Sequence, residues 1–162
     1  MKVIDDIGIR LCKFQGETFS LSFTKTECSS AIFIRRFMNS YFASRLDNGG
    51  LVSEVFDSNV VFEELEYEFG ASCYGKEKYS TEELYWMGYI YRYWCYTREL
   101  TSKQVYKIIK PKELRSLYFT YHSLDPKQAI DRILEAKDID ESDYTKRGVE
   151  ILRRIIEEKN NK

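Results

Sequence analysis

The chain carries one histidine, His122, and only two prolines among its 162 residues. Its four cysteines, Cys12, Cys28, Cys73 and Cys95, are scattered, and no CxxC pair occurs. A zinc site would have to draw its ligands from separate segments with at most one imidazole, so no metal site is expected. No segment reaches the roughly 18 apolar residues of a membrane span. The start, Met1-Lys-Val-Ile-Asp-Asp-Ile, places charges where a secretory leader needs apolar residues. A cytoplasmic, reducing setting with free thiols is therefore expected. Phosphate-cradling glycine loops and the GxSxG elbow are also missing, so no cofactor is expected. The net charge of −1 gives no whole-molecule attraction to nucleic acid or to an anionic membrane.

What the chain does have is aromatic side chains: 13 Tyr, 10 Phe and 2 Trp. Seven of them fall in the fifteen residues from Leu84 to Arg98, including both tryptophans. At helical spacing this run sorts into rows. Tyr85, Tyr89 and Tyr96 share one with Arg92. Trp86, Ile90, Tyr93 and Thr97 form the next, and Met87, Tyr91, Trp94 and Arg98 a third. Gly88, Arg92, Cys95 and Glu99 form the least apolar row, where the small residues allow another element to come close. Such a helix is either the axis of a core or a surface that another molecule covers.

The rest of the chain reads as a mainly α, single-domain helical bundle around that aromatic helix, with a small N-terminal β-hairpin. The hairpin is expected over residues 7–26, because Phe19, Leu21 and Phe23 alternate with Ser20, Ser22 and Thr24 after the turn-forming Gln15-Gly-Glu-Thr18. The bundle occupies 29–158. Its helices are expected at about 31–46, 59–69, 81–99, 103–109, 112–119, 126–137 and 144–158. Ser29 or Ser30, Asp57-Ser58, the Ser80/Glu83 capping box, Pro111 and Asp125-Pro126 mark the starts. The helix start at Ser29-Ser30, with Arg35 and Arg36 one turn on, is also a soft candidate for anion binding.

Charge is unevenly spread. Residues 47–84 hold ten acidic and two basic side chains, whereas 92–115 hold seven basic and two acidic ones. Lys103, Lys107, Lys110, Lys112 and Arg115 lie on short consecutive helices, which superficially suggests helix-turn-helix DNA binding. A solvated face, or complementarity with the acidic stretch, explains the same run. His122 lies in a connector with no convincing nucleophile partner, so no catalytic residue is assigned. A nucleotide-ligand enzyme would need Arg35, Arg36, Arg92 and His122 to share one pocket.

Several phrases carry a family likeness: Cys28-Ser-Ser30, Phe33-Ile-Arg-Arg-Phe-Met38, Arg45-Leu-Asp47, Tyr74-Gly-Lys76, Tyr85-Trp-Met-Gly-Tyr-Ile-Tyr-Arg92, Tyr96-Thr-Arg98, and Tyr121-His122 with Leu124-Asp-Pro126. Over about residues 28–126 the chain resembles a family of small cytoplasmic bacterial proteins of the Firmicutes type. The resemblance implies a companion in a toxin–antitoxin gene cluster, beside ADP-ribosyltransferase-like toxins, and carries over no functional residues. The resulting expectation is a non-enzymatic, antitoxin-like protein that neutralises a protein partner by steric occlusion. Its expected contacts are Arg35, Arg36, Arg92, Tyr96, Arg98 and His122.

Overall fold

Residue 6 begins a helix, not a strand. In the computed structural model, which describes residues 1–49 and 57–140 and the isolated positions 142, 143, 146, 150 and 157, α1 runs Asp6–Lys25. The Asp5 carboxylate caps it, accepting from Gly8 N at 2.8 Å. The expected hairpin over 7–26 is thus overturned, and no strand occurs among the described residues. Its period-two signal came from Leu21 and Phe23, which are 42% and 41% exposed on the helix. The buried face follows helical spacing instead, through Gly8, Leu11, Cys12, Gln15, Gly16, Phe19 and Ser22.

Further helices follow in order: α2 Ser30–Met38, α3 Tyr41–Asp47, α4 Ser58–Phe69, α5 Thr81–Arg98, α6 Ser102–Ile108, α7 Pro111–Ser116, α8 Tyr118–Tyr121 and α9 Pro126–Lys137. The helix expected at 31–46 is broken in two. Ser40 leaves the helical path to accept from Ala43 N at 3.0 Å, and so caps α3. The segment expected at 112–119 is likewise divided, into α7 and α8. The capping box of α5 forms as its sequence demands, with Ser80 Oγ accepting from Glu83 N and Glu83 Oε2 accepting from Ser80 N. The helix expected over 144–158, and Gly50, lie outside the described residues apart from those isolated positions.

α1 and α5 lie antiparallel and in close contact, because glycine removes the side chains between them. A Cβ on Gly88 would come within 2.6 Å of the Gln15 carbonyl oxygen and 2.9 Å of the Phe19 ring. One on Gly8 would strike the Tyr96 ring at 2.6 Å, and one on Gly16 would sit 3.0 Å from the Tyr85 carbonyl. On its other side Phe19 meets Phe33 and Phe37 edge-on, with centroids 5.4 and 5.0 Å away. This joins α2 to the α1–α5 pair. α6, α7 and α9 complete the packing around α5.

Candidate functional site

Arg92 sits on the face of α5 turned into the fold. It is 1% exposed, and each of its three guanidinium nitrogens donates a hydrogen bond. Nε reaches Gln15 Oε1 at 2.7 Å, Nη1 reaches Asp47 Oδ1 at 2.7 Å, and Nη2 reaches Ser102 Oγ at 2.9 Å. Asp47 is shared further, accepting from Ser102 N and Ser102 Oγ at 2.8 Å each. A buried ion pair is tolerable only when its polar atoms are hydrogen-bonded, and here each guanidinium nitrogen and each carboxylate oxygen has a partner. The network ties α1, α3, α5 and α6 together. Arg92 is therefore a fastening inside the protein and offers nothing to a partner at the surface.

The other expected contact residues do not form one surface. Arg98 pairs with Asp131 of α9. Burial raises the Asp131 pKa, but hydrogen bonds from Lys127 and Arg98 outweigh it and hold the carboxyl below its ordinary value. The Tyr96 hydroxyl donates to Asp5 at 2.7 Å, and Lys2 lies over its ring at 4.0 Å. Arg36 donates to the Gly70 carbonyl at 2.6 Å and lies over the Phe69 ring. Arg35 is exposed on α2. His122 is exposed just past α8, its ring stacked on Tyr118 with centroids 4.6 Å apart.

The basic stretch divides in the same way. Arg115 pairs with Glu77 at 2.7 Å and Glu83 at 3.3 Å, and lies over the Tyr79 ring. Lys110 rests on the Tyr106 ring at 4.0 Å, while Lys103, Lys107 and Lys112 stand exposed. At the start of α2, the backbone N–H groups of Ser29 and Ser30 donate to the carbonyls of Tyr74 and Glu77, and Ile32 N donates to Ser29 Oγ. The place proposed for an anion is thus taken by the protein's own loop.

Two depressions stand out among the described residues. One, of about 420 Å³, lies among the end of α1, α2, α4 and residues 70–73, with Phe33, Phe62 and Leu65 in its wall and Arg36 and Glu66 among its polar groups. The other, of about 530 Å³, is lined by Ser20, Thr81, Glu82, Tyr85, Trp86, Tyr89, Tyr118 and His122. Arg36 and His122 line different depressions and Arg92 lines neither, so the four residues of the nucleotide-site expectation are not brought together. No family model, curated protein or solved structure matches the chain.

The second depression has the more distinctive chemistry. Tyr85, Tyr89 and Tyr93 climb α5 on one side, with successive centroids 6.3 and 6.5 Å apart. Trp86 meets Tyr118 edge-on at 5.7 Å, and Tyr118 meets Phe119 the same way at 5.5 Å. Phe119 is 82% exposed. Gly16 makes this possible from below, because the Tyr85 ring lies across α1 where a side chain would otherwise stand. Of the expected residues only His122 belongs to this groove. Trp86, Tyr118 and Phe119 were not singled out as site residues, since α8 has no sequence mark that separates an outward aromatic from an inward one.

In the groove the Thr81 hydroxyl donates to Glu82 at 3.2 Å, and His122 Nδ1 is bonded to the Tyr118 carbonyl at 2.8 Å. Elsewhere, burial pushes the Cys12 and Cys95 thiols up to about 12, which leaves them protonated and unreactive at neutral pH. Among the described residues no group of three or more His, Cys, Asp and Glu could hold a metal ion, and no helix is long and apolar enough to cross a membrane.

Proposed function

We propose that the protein is a non-enzymatic, antitoxin-like binding protein that neutralises a partner protein by steric occlusion. In this reading α5 is the axis of a rigid helical body, and the groove from Tyr85 to His122, with Phe119 beside it, is the contact face. The observation that carries the reading is Phe119, a large apolar ring 82% exposed next to a concave surface of four further aromatic rings and the His122 imidazole. Exposed aromatics such as Tyr67 and Tyr74 on other parts of the molecule are ordinary; a contiguous patch marks an interaction surface. Tyrosine and tryptophan are also the residues that most often dominate interface energetics.

The test is co-expression with the products of adjacent genes, scored by complex formation and by rescue of growth. Phe119→Ala and Tyr85→Ala should each weaken the complex about thirtyfold, as expected for a contact worth about 2 kcal/mol. The melting temperature of Phe119→Ala should stay near that of the parent protein, whereas Tyr85→Ala, which also removes the ring packed on Gly16, should lower it. Absence of both a complex and rescue would sink the proposal.

A further inference from the structure

The aromatic groove has a definite electrostatic character. Among the described residues Glu82 is the only carboxylate lining it, and no lysine or arginine lines it. A phosphate or carboxylate ligand would face Glu82 with no fixed positive charge to offset the repulsion. A neutral apolar ligand would cover Glu82 without giving it a counter-ion. The positive N-terminal end of α5 is offset by Glu82 and Glu83 in its first turn. The walls are electron-rich rings from two elements: Tyr85, Trp86 and Tyr89 from α5, and Tyr118 from α8, with Tyr118 backed by His122.

We infer that the groove is a recognition site for a small organic cation with a methylated ammonium head. This inference rests on the reading of the groove as a binding surface and names the chemistry it recognises. The negative faces of the tyrosine and tryptophan rings attract a cation whose charge is spread over methyl groups. A bare ammonium keeps its water more strongly and asks for three acceptors in fixed places. Around a methylated head the rings supply apolar contact, and Glu82 supplies the counter-charge. A volume of about 530 Å³ accommodates a molecule of this size.

The protein carries its own reporter. Of its two tryptophans, Trp86 lines the groove and Trp94 is fully buried. The full chain is titrated with choline and, separately, with 3,3-dimethylbutan-1-ol, which replaces the charged nitrogen by carbon. Tryptophan emission should respond saturably to choline, at about tenfold lower concentration than to the neutral isostere. Glu82→Gln should remove most of that preference, and Tyr85→Leu should weaken choline binding. Unchanged circular dichroism shows that either variant remains folded.

Equal binding of the two compounds, no response to choline, or an unaltered preference in folded Glu82→Gln would each overturn the assignment. A third titration, with N-acetyl-trimethyl-lysine amide, separates a free cation from one borne on a peptide; weaker binding than choline is expected, and tighter binding would overturn the small-molecule assignment. If choline fails while Phe119→Ala still abolishes the partner complex, the cation site falls and the contact face stands. If choline binds and no partner complex forms, the reverse holds.

Discussion

Arg92 shows how much one side chain can fasten. Three donors meet three different segments, and Asp47 meets one of them, at Ser102, through two further hydrogen bonds. Arg92→Ala should leave the Asp47 carboxylate without its counter-ion and Gln15 Oε1 without its donor, at a cost of about 3–5 kcal/mol in urea unfolding. Arg92→Lys should recover only part of this, since an ammonium cannot span the three directions that the guanidinium fork covers. A loss below about 1 kcal/mol for the alanine variant would mean that the network is not sustained in solution. The sequence places Arg92 in the least apolar row of its helix, and such a row is ordinarily assigned to solvent. The row is buried because Gly88, Arg92 and Cys95 face other helices, and the charge is met by partners 45 and 77 residues away. No local pattern contains that information.

At the level of the helix, local chemistry reads well and tertiary choice does not. Capping at Ser29, Asp57, Ser80, Thr101 and Asp125 is written in residue types that accept hydrogen bonds from the first turn, and it forms as written. α1 was misread because its inner face carries Gly8, Gln15, Gly16, Thr18 and Ser22, which no hydrophobicity pattern marks as interior. Gly8 and Gly16 let α5 come close, Gln15 bonds Arg92 of α5, and Thr18 bonds Ser58 of α4. Gly88 gives the sharpest test of that contact. Gly88→Ala gains up to about 1 kcal/mol of helix propensity. It also drives a methyl group against the Gln15 backbone, where overpacking typically costs about 1–3 kcal/mol. Net destabilisation is expected in denaturant unfolding. Gly70→Ala, by contrast, meets no neighbouring atoms, and its effect should come only from the positive φ of 78° at the end of α4.

For the whole molecule, the uneven charge of the sequence resolves partly into internal pairing and partly into a solvated face. The acidic stretch supplies Asp47, Glu77 and Glu83, and the basic stretch answers with Arg92 and Arg115. The sequence allowed complementarity and a solvated face, and both occur, since Lys103, Lys107 and Lys112 stand exposed. The same pairing sets a direction for pH dependence. The Asp5 carboxyl is held below its ordinary value by the hydrogen bond from Gly8 N and then by that from Tyr96, and Asp131 is held down by Lys127 and Arg98. A carboxyl whose folded pKa is depressed binds fewer protons folded than unfolded, so its stabilisation is complete at neutral pH and lost as the pH falls through the folded value. The melting temperature should therefore drop below about pH 5. Asp131→Asn should lower it at pH 7 and make the acid decline shallower; a decline as steep as in the parent protein would show that other groups govern it.

The close contact of α1 with α5 also bears on how the protein is made. Gly16 and Gly88 stand 72 positions apart in the chain. At roughly 5–20 residues per second, a ribosome releases the first of them roughly 4–14 seconds before the second. Throughout that interval α1 is synthesised without the helix that covers it, with Phe14 and Phe19 still lacking their place in the core. Completion of the core is thereby tied to the synthesis of α5, and a chain truncated before Arg98 is expected to be a substrate for chaperones and proteases.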